Sequence, residues 1–317
     1  MIRGYDLRII WLVPDLDITN PAHRVRRYNM HHHLRRMGYD SVLDNSYRKD
    51  FSLNIESLAS YLNSYDVVVW TDLGELEDKC ARALRSSKVT QVFDHCESLW
   101  DLPHERSIME SVDLITCCSV QLANLTIGYG FPTKVAVIRD AVEQYPESLL
   151  KKHTNSREGL RAVYMGGRGH DAVCEWARPV IEDSGYELVI ISGGNPRSLD
   201  WSLETWKDDM LSCDVALALQ DYNQHPAKSN IKATVPMALG IPVLASPLDA
   251  YKESIENGVN GLICIGIDGW KSALETMKDP YTRSSMGLKA SLKVSRYSLD
   301  YISSELLDAI RYHKKEI

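Results

Sequence analysis

The sequence predicts an α/β protein with two Rossmann-like, doubly wound domains that face each other across a cleft. Three observations support this: a length of 317 residues, an alternation of short apolar runs with helix-like segments, and one polar seam near the middle. A chain of this length exceeds the size at which a single hydrophobic core usually stops growing. Its apolar runs are continuous rather than alternating, which is typical of parallel strands buried on both faces.

Ten runs rich in Val, Ile and Leu are predicted as strands. They lie at 7–13, 67–70, 89–93, 114–117, 135–138, 162–165, 188–191, 215–218, 243–245 and 262–265. Helices are predicted in the intervening segments, among them 22–37, 76–85, 171–184 and 203–211. Strand, helix and strand at this spacing form right-handed βαβ units in an open sheet.

The polar segment 144–160 contains Pro and Gly and lacks apolar periodicity, so it predicts a linker between two halves. We predict an N-terminal domain at 1–148 and a second domain at 159–297. The C-terminal segment 298–317 has an apolar helical stripe, and we expect it to pack back on the first domain.

Charge and cysteine content narrow the class of protein. The formal net charge of -7 argues against general nucleic-acid binding, which needs clustered cations. The seven cysteines are widely spaced and form no CxxC, so we expect no disulfide framework and no zinc site, as in a reducing cytoplasm. The first apolar run, 9–13, is too short for a signal sequence or a spanning helix. We expect a cytoplasmic protein and leave peripheral contact with the inner membrane face open.

The stretch KSNIKATVPMALGIPVLAS, at 228–246, predicts a helix that stops at Gly240 before a buried strand. Ser229 or Asn230 can cap its first turn, and the amino end of a helix attracts anions. Positive charge at this end comes from Lys228 and Lys232. The alternative is an ordinary helix-to-strand turn with solvated lysines.

A glycine-rich loop, Gly166-Gly167-Arg168-Gly169, follows the strand at 162–165. Glycines let a backbone approach a phosphate closely. Such a loop, beside the helix that starts near Asn230, predicts a site for the diphosphate of a nucleotide-linked substrate at the carboxyl edge of the second sheet.

Five segments of the second half match, in the same order along the chain, segments of a known family. They are GLRAVYMGGRGHDA, ELVIISGG, MLSCDVALALQ, the stretch from Lys228 to Ile263, and GWKSALETM. Within them, Ala238-Leu-Gly240-Ile-Pro242 and Glu253 with Gly258 and Gly261 match an A-x-G-x-P and an E-x-I-x-x-G-x-x-G pattern. In the first half, DLITCCSVQLANL and KVAVIRDAVE match more loosely. Together they resemble the GT-B glycosyltransferases of family 4.

This resemblance implies a set of site residues. The donor-binding positions it implies, together with those predicted above, are Gly166, Gly167, Arg168, His170, Gly193, Ser229, Asn230, Lys232 and Glu253. Family members with a K-x-x-x-x-x-A-x-G-x-P pattern have a lysine where Lys232 stands, and many have an active-site histidine near His95. We therefore expect His95 and Lys232 to be catalytic. For His95 the alternative is a structural strand-end histidine, and for His170 it is a role in helix entry.

The sequence also departs from the family. Family 4 enzymes usually carry two glutamates seven apart in this helix, and here Lys228 and Val235 occupy those positions. An interior Pro236 also replaces a small residue and costs helix stability or bends the helix. Asp15-Leu-Asp17 has the spacing of a metal-binding D-x-D motif but follows the first strand, where a loop turn is the simpler interpretation. We expect no metal cofactor, with the diphosphate charge met by lysine, arginine and helix N–H groups.

The first half contains a strongly basic segment, HRVRRYNMHHHLRRM, at 23–37. A stripe that includes Arg24 lies beside an apolar face. It predicts either a solvated arginine face or, with Asp15, an acceptor side that meets a lipid phosphate or charged glycan.

The function predicted is transfer of a sugar from a UDP- or GDP-sugar to a glycan, lipid-linked or small-molecule acceptor in cell-surface polysaccharide or glycoconjugate biosynthesis. Retention of anomeric configuration is implied by the resemblance alone. Two alternatives are a non-catalytic GT-B scaffold that partners another enzyme, and a sugar-nucleotide epimerase. A dinucleotide-linked dehydrogenase is disfavoured, because no GxGxxG follows the first strand.

Overall fold

The computed structural model describes residues 7–51, 54–71, 74–96, 103–154, 159–167, 172–192, 198–220 and 227–314. The chain forms two compact units. The first unit combines Met1–Asp140 with Leu299–Ile317, and the second unit is Ala141–Ser298. The chain therefore leaves the first unit at Asp140, somewhat before position 148.

The sheet of the first unit has six parallel strands in the order β2-β1-β3-β4-β5-β6. They are β1 (Arg8–Leu12), β2 (Asp40–Asp44), β3 (Val67–Trp70), β4 (Thr90–His95), β5 (Leu114–Cys117) and β6 (Lys134–Val137). Every residue of β3, β4 and β5 is buried, as continuous apolar runs predict, whereas the edge strands β2 and β6 are partly exposed. The sequence did not predict β2, because its residues DSVLD include only two apolar side chains and form no continuous apolar run.

Helices connect these strands. They are α1 (Asn29–Arg36), α2 (Tyr47–Asp50), α3 (Ile55–Leu62), α4 (Glu75–Ala83), α5 (Pro103–Met109) and α6 (Val120–Gly128). The predicted helix at 22–37 is divided, since a π-helical turn at Ala22–Tyr28 precedes α1. As predicted, Met30 and Leu34 are buried. Arg26 and Arg27 of the basic segment are buried too, at 7% and 5% exposure, so the arginines of this segment are only partly exposed to solvent.

The second unit has five parallel strands in the order β11-β10-β9-β7-β8. They are β7 (Leu160–Met165), β8 (Tyr186–Ile191), β9 (Val215–Ala218), β10 (Val243–Ala245) and β11 (Leu262–Ile263). Its helices are α7 (Ala172–Asp183), α8 (Trp206–Leu211), α9 (Ile231–Ala238), α10 (Asp249–Ser254), α11 (Gly266–Thr276) and α12 (Pro280–Lys293). The two sheets confirm the predicted α/β class with two Rossmann-like, parallel-stranded domains.

The predicted helix at the opening of the 228–246 stretch is α9, and it ends as expected. Gly240 has a φ of 72°, and the N–H groups of Gly240 and Ile241 donate to the carbonyls of Met237 and Pro236. This is the glycine-terminated end that a left-handed residue allows. The chain then enters β10, which is completely buried.

The last helix, α13 (Leu299–His313), belongs to the first unit, where it packs against α1. Arg311 donates to the Tyr39 hydroxyl at 2.7 Å, and His33 Nε2 lies 3.1 Å from a carboxylate oxygen of Asp300. Between α12 and α13 a short 3-10 turn spans Val294–Tyr297.

Within the described ranges, no helix combines the length and apolar character needed to cross a bilayer. All seven cysteines fall in these ranges, and all are free thiols in the structure.

Candidate functional site

The topology of the second sheet picks out one place for a ligand. The chain runs from β7 to β8 at one side of β7 and then crosses to β9 at the other side. All strands are parallel, so their carboxyl ends lie along one edge. In open α/β sheets, ligands bind outside the carboxyl ends where the strand order reverses, which here is between β7 and β9.

The Lys232 side chain joins these two strand ends. Its ammonium donates to the Tyr164 hydroxyl at 2.7 Å and to the Gln220 side-chain oxygen at 3.2 Å. Tyr164 belongs to β7, and Gln220 follows β9. The Nζ atom also lies 4.8 Å from the centroid of the Tyr164 ring, within the range of a cation–π interaction.

The amino end of α9 carries a second polar feature. Asn230 is the residue before the helix and is only 2% exposed, yet its side chain makes no capping hydrogen bond. Both amide atoms are buried and find no hydrogen-bond partner in the described part of the chain. Ser229 performs the local capping instead, since its Oγ accepts from the Ile231 N–H at 3.3 Å. A buried amide without partners costs about 1–3 kcal/mol, which a hydrogen bond to a ligand or water would recover.

Burial, with a smaller contribution from the nearby charge of Lys228, lowers the pKa of Lys232 to about 8. A carboxylate would oppose this shift, but among the described residues Lys232 has none as an ion-pair partner. At pH 7 about nine-tenths of the amine is still protonated. The edge therefore holds a partly desolvated cation whose charge an anionic ligand can balance.

The first two residues of the glycine loop, Gly166 and Gly167, lie in different surroundings. A Cβ atom on Gly166 would lie 2.6 Å from the Tyr164 hydroxyl oxygen and under 3.0 Å from two ring carbons, so Gly166 makes room for that ring. Gly167 is exposed at the edge. Arg168, His170 and Gly193, which the sequence assigned to the donor site, lie outside the described residues.

Glu253, another predicted donor residue, lies in the short helix α10 after β10 and is half-buried. It thus follows a strand that neighbours β9 in the same sheet. The predicted donor residues Lys232, Ser229, Asn230 and Glu253 all belong to connections that follow strands of the second sheet.

His95 is the last residue of β4 in the first unit and is 2% exposed. Its Nδ1 lies 3.5 Å from a carboxylate oxygen of Glu105 in α5, and its ring stacks on Phe93 with centroids 5.5 Å apart. Burial lowers the His95 pKa to about 4, so its imidazole is neutral at pH 7. It can exchange hydrogen bonds with a hydroxyl but carries no positive charge.

The two predicted acceptor-side residues both stabilise the loop after β1. Asp15 is exposed, accepts from the Asp17 N–H at 3.0 Å and lies 2.9 Å from His23 Nδ1. Arg24 is half-buried and donates to the Ile18 carbonyl at 2.8 Å. Asp17 accepts from the backbone and hydroxyl of Thr19, as in a loop turn.

A buried ion network, not predicted from the sequence, lies at the carboxyl edge of the first sheet. Arg26 donates to both carboxylate oxygens of Asp94, at 2.6–3.1 Å, and to Asp140 at 2.7 Å. Thr116 donates to Asp94 at 2.9 Å. Although burial acts to raise it, the pKa of Asp94 is lowered by the charge and hydrogen bonds of Arg26. The network fixes the π-helical turn to the ends of β4 and β5.

No group of three or more His, Cys, Asp or Glu side chains that could hold a metal ion occurs among the residues that the structure describes.

Solved structures similar to this chain share its architecture over nearly its whole length. A structure of Anabaena HepE in complex with UDP-glucose has a TM-score of 0.71 at 11% identity, covering 96% of this chain and 100% of that one. Sucrose-phosphate synthase from Thermosynechococcus elongatus has a TM-score of 0.70 at 12% identity, and the match covers 96% of this chain and 98% of that one. The lipopolysaccharide outer core galactosyltransferase WaaB has a TM-score of 0.59 at 14% identity, and the match covers 96% of this chain and 99% of that one. All three are GT-B glycosyltransferases.

The chain has the GT-B fold. At these identities the likeness concerns the fold alone. No protein-family model matches the chain, and no curated protein sequence matches it. Lys232, Asn230 and the glycine loop were named from the sequence as candidate site residues, but Tyr164 and Gln220 were not. Tyr164 is the second-last residue of β7 and Gln220 lies two residues after β9, so a position near the end of a strand was the signal that could have indicated them.

Proposed function

We propose that this chain is a glycosyltransferase that moves a sugar from a nucleotide-activated donor to an acceptor hydroxyl. The observation that carries this proposal is Lys232. It is a desolvated cation at the strand-order reversal of the second sheet, beside the amino end of α9, and it has no carboxylate partner among the described residues. A diphosphate supplies the negative charge that this place lacks.

The chemistry follows from that placement. The bond between the anomeric carbon and the diphosphate oxygen breaks, and its electron pair leaves on the diphosphate. The acceptor hydroxyl oxygen forms the new bond to the anomeric carbon and passes its proton to an oxygen of the departing diphosphate. Negative charge grows on the leaving oxygen in the transition state, where the Lys232 ammonium stabilises it.

The donor is proposed to be a UDP- or GDP-sugar, and the fold neighbours include proteins solved with UDP and with UDP-glucose. Metal independence is part of the proposal, because Lys232 supplies charge that a divalent cation would otherwise supply. Retention of configuration is proposed from the family resemblance and is measured by NMR of the newly formed glycosidic linkage.

The acceptor is proposed to be a glycan, a lipid-linked glycan or a small molecule bound by the first unit, in polysaccharide or glycoconjugate synthesis. Peripheral contact with the inner face of the membrane is proposed for the lipid-linked case. Co-sedimentation with anionic vesicles tests it.

The deciding experiment is calorimetric titration of the chain with UDP, GDP and ADP and their sugars, followed by turnover of whichever donor binds, with and without EDTA. Lys232→Ala should lower turnover at least about tenfold, equivalent to about 1.4 kcal/mol of transition-state stabilisation. Lys252→Ala is the matched control, because Lys252 is exposed on α10 and pairs with Asp249. Unchanged turnover in a folded Lys232→Ala protein would remove this lysine from the mechanism.

A second candidate is a non-catalytic GT-B scaffold. It is favoured by Lys228 and Val235, which stand where family 4 enzymes usually have two glutamates. A scaffold predicts that no nucleotide sugar binds in the same titrations, so one data set separates the two functions.

A further inference from the structure

The Lys232 ammonium has three N–H donors, and two of them have acceptors on different strands. One acceptor is the Tyr164 hydroxyl and the other is the Gln220 side-chain oxygen. No further acceptor for this ammonium is found in the described part of the chain. One donor is therefore left for a ligand while the other two hold the amine in place.

Both acceptors belong to segments whose backbone is anchored to the second sheet. Tyr164 is completely buried in β7, which pairs with β8 along its length and with β9 beside it. Gln220 has its backbone N–H bonded to the Ser246 hydroxyl at 3.1 Å. Gly166 leaves room for the Tyr164 hydroxyl, since any side chain there would overlap the ring. The glycine after β7 thus serves the tyrosine that holds the lysine.

We propose that Tyr164 and Gln220 are positioning residues that fix the Lys232 ammonium between the ends of β7 and β9 and leave one N–H for the diphosphate of the ligand. The proposal rests on the proposed function for the identity of that ligand. Neither residue needs to touch the reacting atoms. They act on the reaction indirectly, because they determine the position and the protonation state of the Lys232 amine.

The groups around the amine make this testable by titration. They are Tyr164 from β7, Gln220 after β9, the Cys174 thiol from α7 and the Lys228 ammonium before α9. None is a carboxylate. Loss of the tyrosine hydroxyl removes a hydrogen bond to the charged form, which lowers the lysine pKa, whereas a carboxylate in place of the Gln220 amide raises it.

Two substitutions should therefore move the same titration in opposite directions. Tyr164→Phe keeps the ring and lowers the pKa of Lys232, and Gln220→Glu raises it by about one unit or more. The pKa is measured from the pH dependence of Lys232 acetylation by trace acetic anhydride, read by peptide mass spectrometry. This measurement involves no nucleotide. Tyr186→Phe is the matched control, because Tyr186 is a buried tyrosine on the adjacent β8 that donates to the Leu274 carbonyl at 3.0 Å.

Binding of UDP supplies the second readout. At pH 7, Tyr164→Phe should weaken UDP binding about fivefold, the loss typical of one hydrogen bond. Gln220→Glu should weaken it at least as much, because the new carboxylate competes with the diphosphate for the ammonium. Tyr186→Phe should bind UDP as the wild type does.

The outcomes separate the two proposals. Failure of UDP to bind the wild type would overturn the proposed function, while the acetylation pKa would still test the positioning role. Unshifted pKa values in both Tyr164→Phe and Gln220→Glu would overturn the positioning role, even if UDP binds. Equal effects of Tyr164→Phe and Tyr186→Phe would show that the tyrosine contributes only to packing.

Discussion

Burying the Lys232 ammonium should lower the free energy of unfolding. The size of this loss should depend on pH, because the lysine has a lower pKa in the folded chain than in the unfolded chain. The lysine pKa is 10.5 as a reference and about 8 in the folded chain. Between these values the unfolded chain binds a proton that the folded chain has lost, so the free energy of unfolding rises with pH. The contribution of the Lys232 titration to the free energy of unfolding is fully present above pH 10.5 and is lost as the pH falls from 10.5 through 8.

The magnitude follows from the shift. A difference of 10.5 - 8, or about 2.5 units, corresponds to about 3 kcal/mol, of which roughly 2–3 kcal/mol falls between pH 7 and 10. Lys232→Met removes this titration. We expect the wild type, relative to that variant, to be about 2 kcal/mol less stable at pH 7 than at pH 10.

Urea denaturation followed by circular dichroism, for both proteins at both pH values, measures this difference. Comparing the two proteins at each pH cancels the titration of all other groups. Lys252→Met serves as the control, because Lys252 is exposed, and it should show a change of no more than about 0.5 kcal/mol between the two pH values. If the difference between wild type and Lys232→Met is the same at pH 7 and pH 10, the amine is not desolvated and the reasoning fails.

Two further substitutions test the packing of each unit, both by urea denaturation. Arg26→Met should lower the free energy of unfolding by about 3–5 kcal/mol, because it leaves the buried carboxylates of Asp94 and Asp140 without the cation that pairs with both. A loss below about 1 kcal/mol would contradict a stabilising role for this ion network. Gly287→Ala should cost about 3 kcal/mol or more, since its Cβ would lie 2.0 Å from the Gly240 carbonyl oxygen. Gly269→Ala, whose nearest neighbours would be 3.5 Å away, should change stability by no more than about 1 kcal/mol, and equal effects of the two would refute the contact.

The fold was predictable where burial is complete. Strands β3, β5 and β9 lie inside the sheets, so both of their faces need apolar residues, and the sequence shows this as uninterrupted runs. The edge strand β2 is covered on one side only, and its mixed residues gave no such signal. The π-helical turn before α1 was not predictable either, because the 3.6-residue pattern continues through it and the long-range partners of Arg26 decide its shape.

The candidate site was predictable to the extent that local chemistry determines it. The helix end at Gly240 and the lysine at position 232 depend on short-range signals that a sequence displays. The partners of that lysine depend on the strand order, which brings residues 164 and 220 to its two sides. The burial of His95 depends in the same way on packing against α5. Sequence reasoning therefore found the cation and missed what holds it.

The return of α13 to the first unit has a consequence for synthesis. Residues 299–313 are made long after the strands of that unit, and α1 packs against this helix. On the ribosome the second unit can acquire all its strands and helices while the first still lacks its covering helix. We expect a nascent chain stopped before residue 299 to expose the apolar surface of α1 and to engage chaperones, so the unit that begins first is the one completed last.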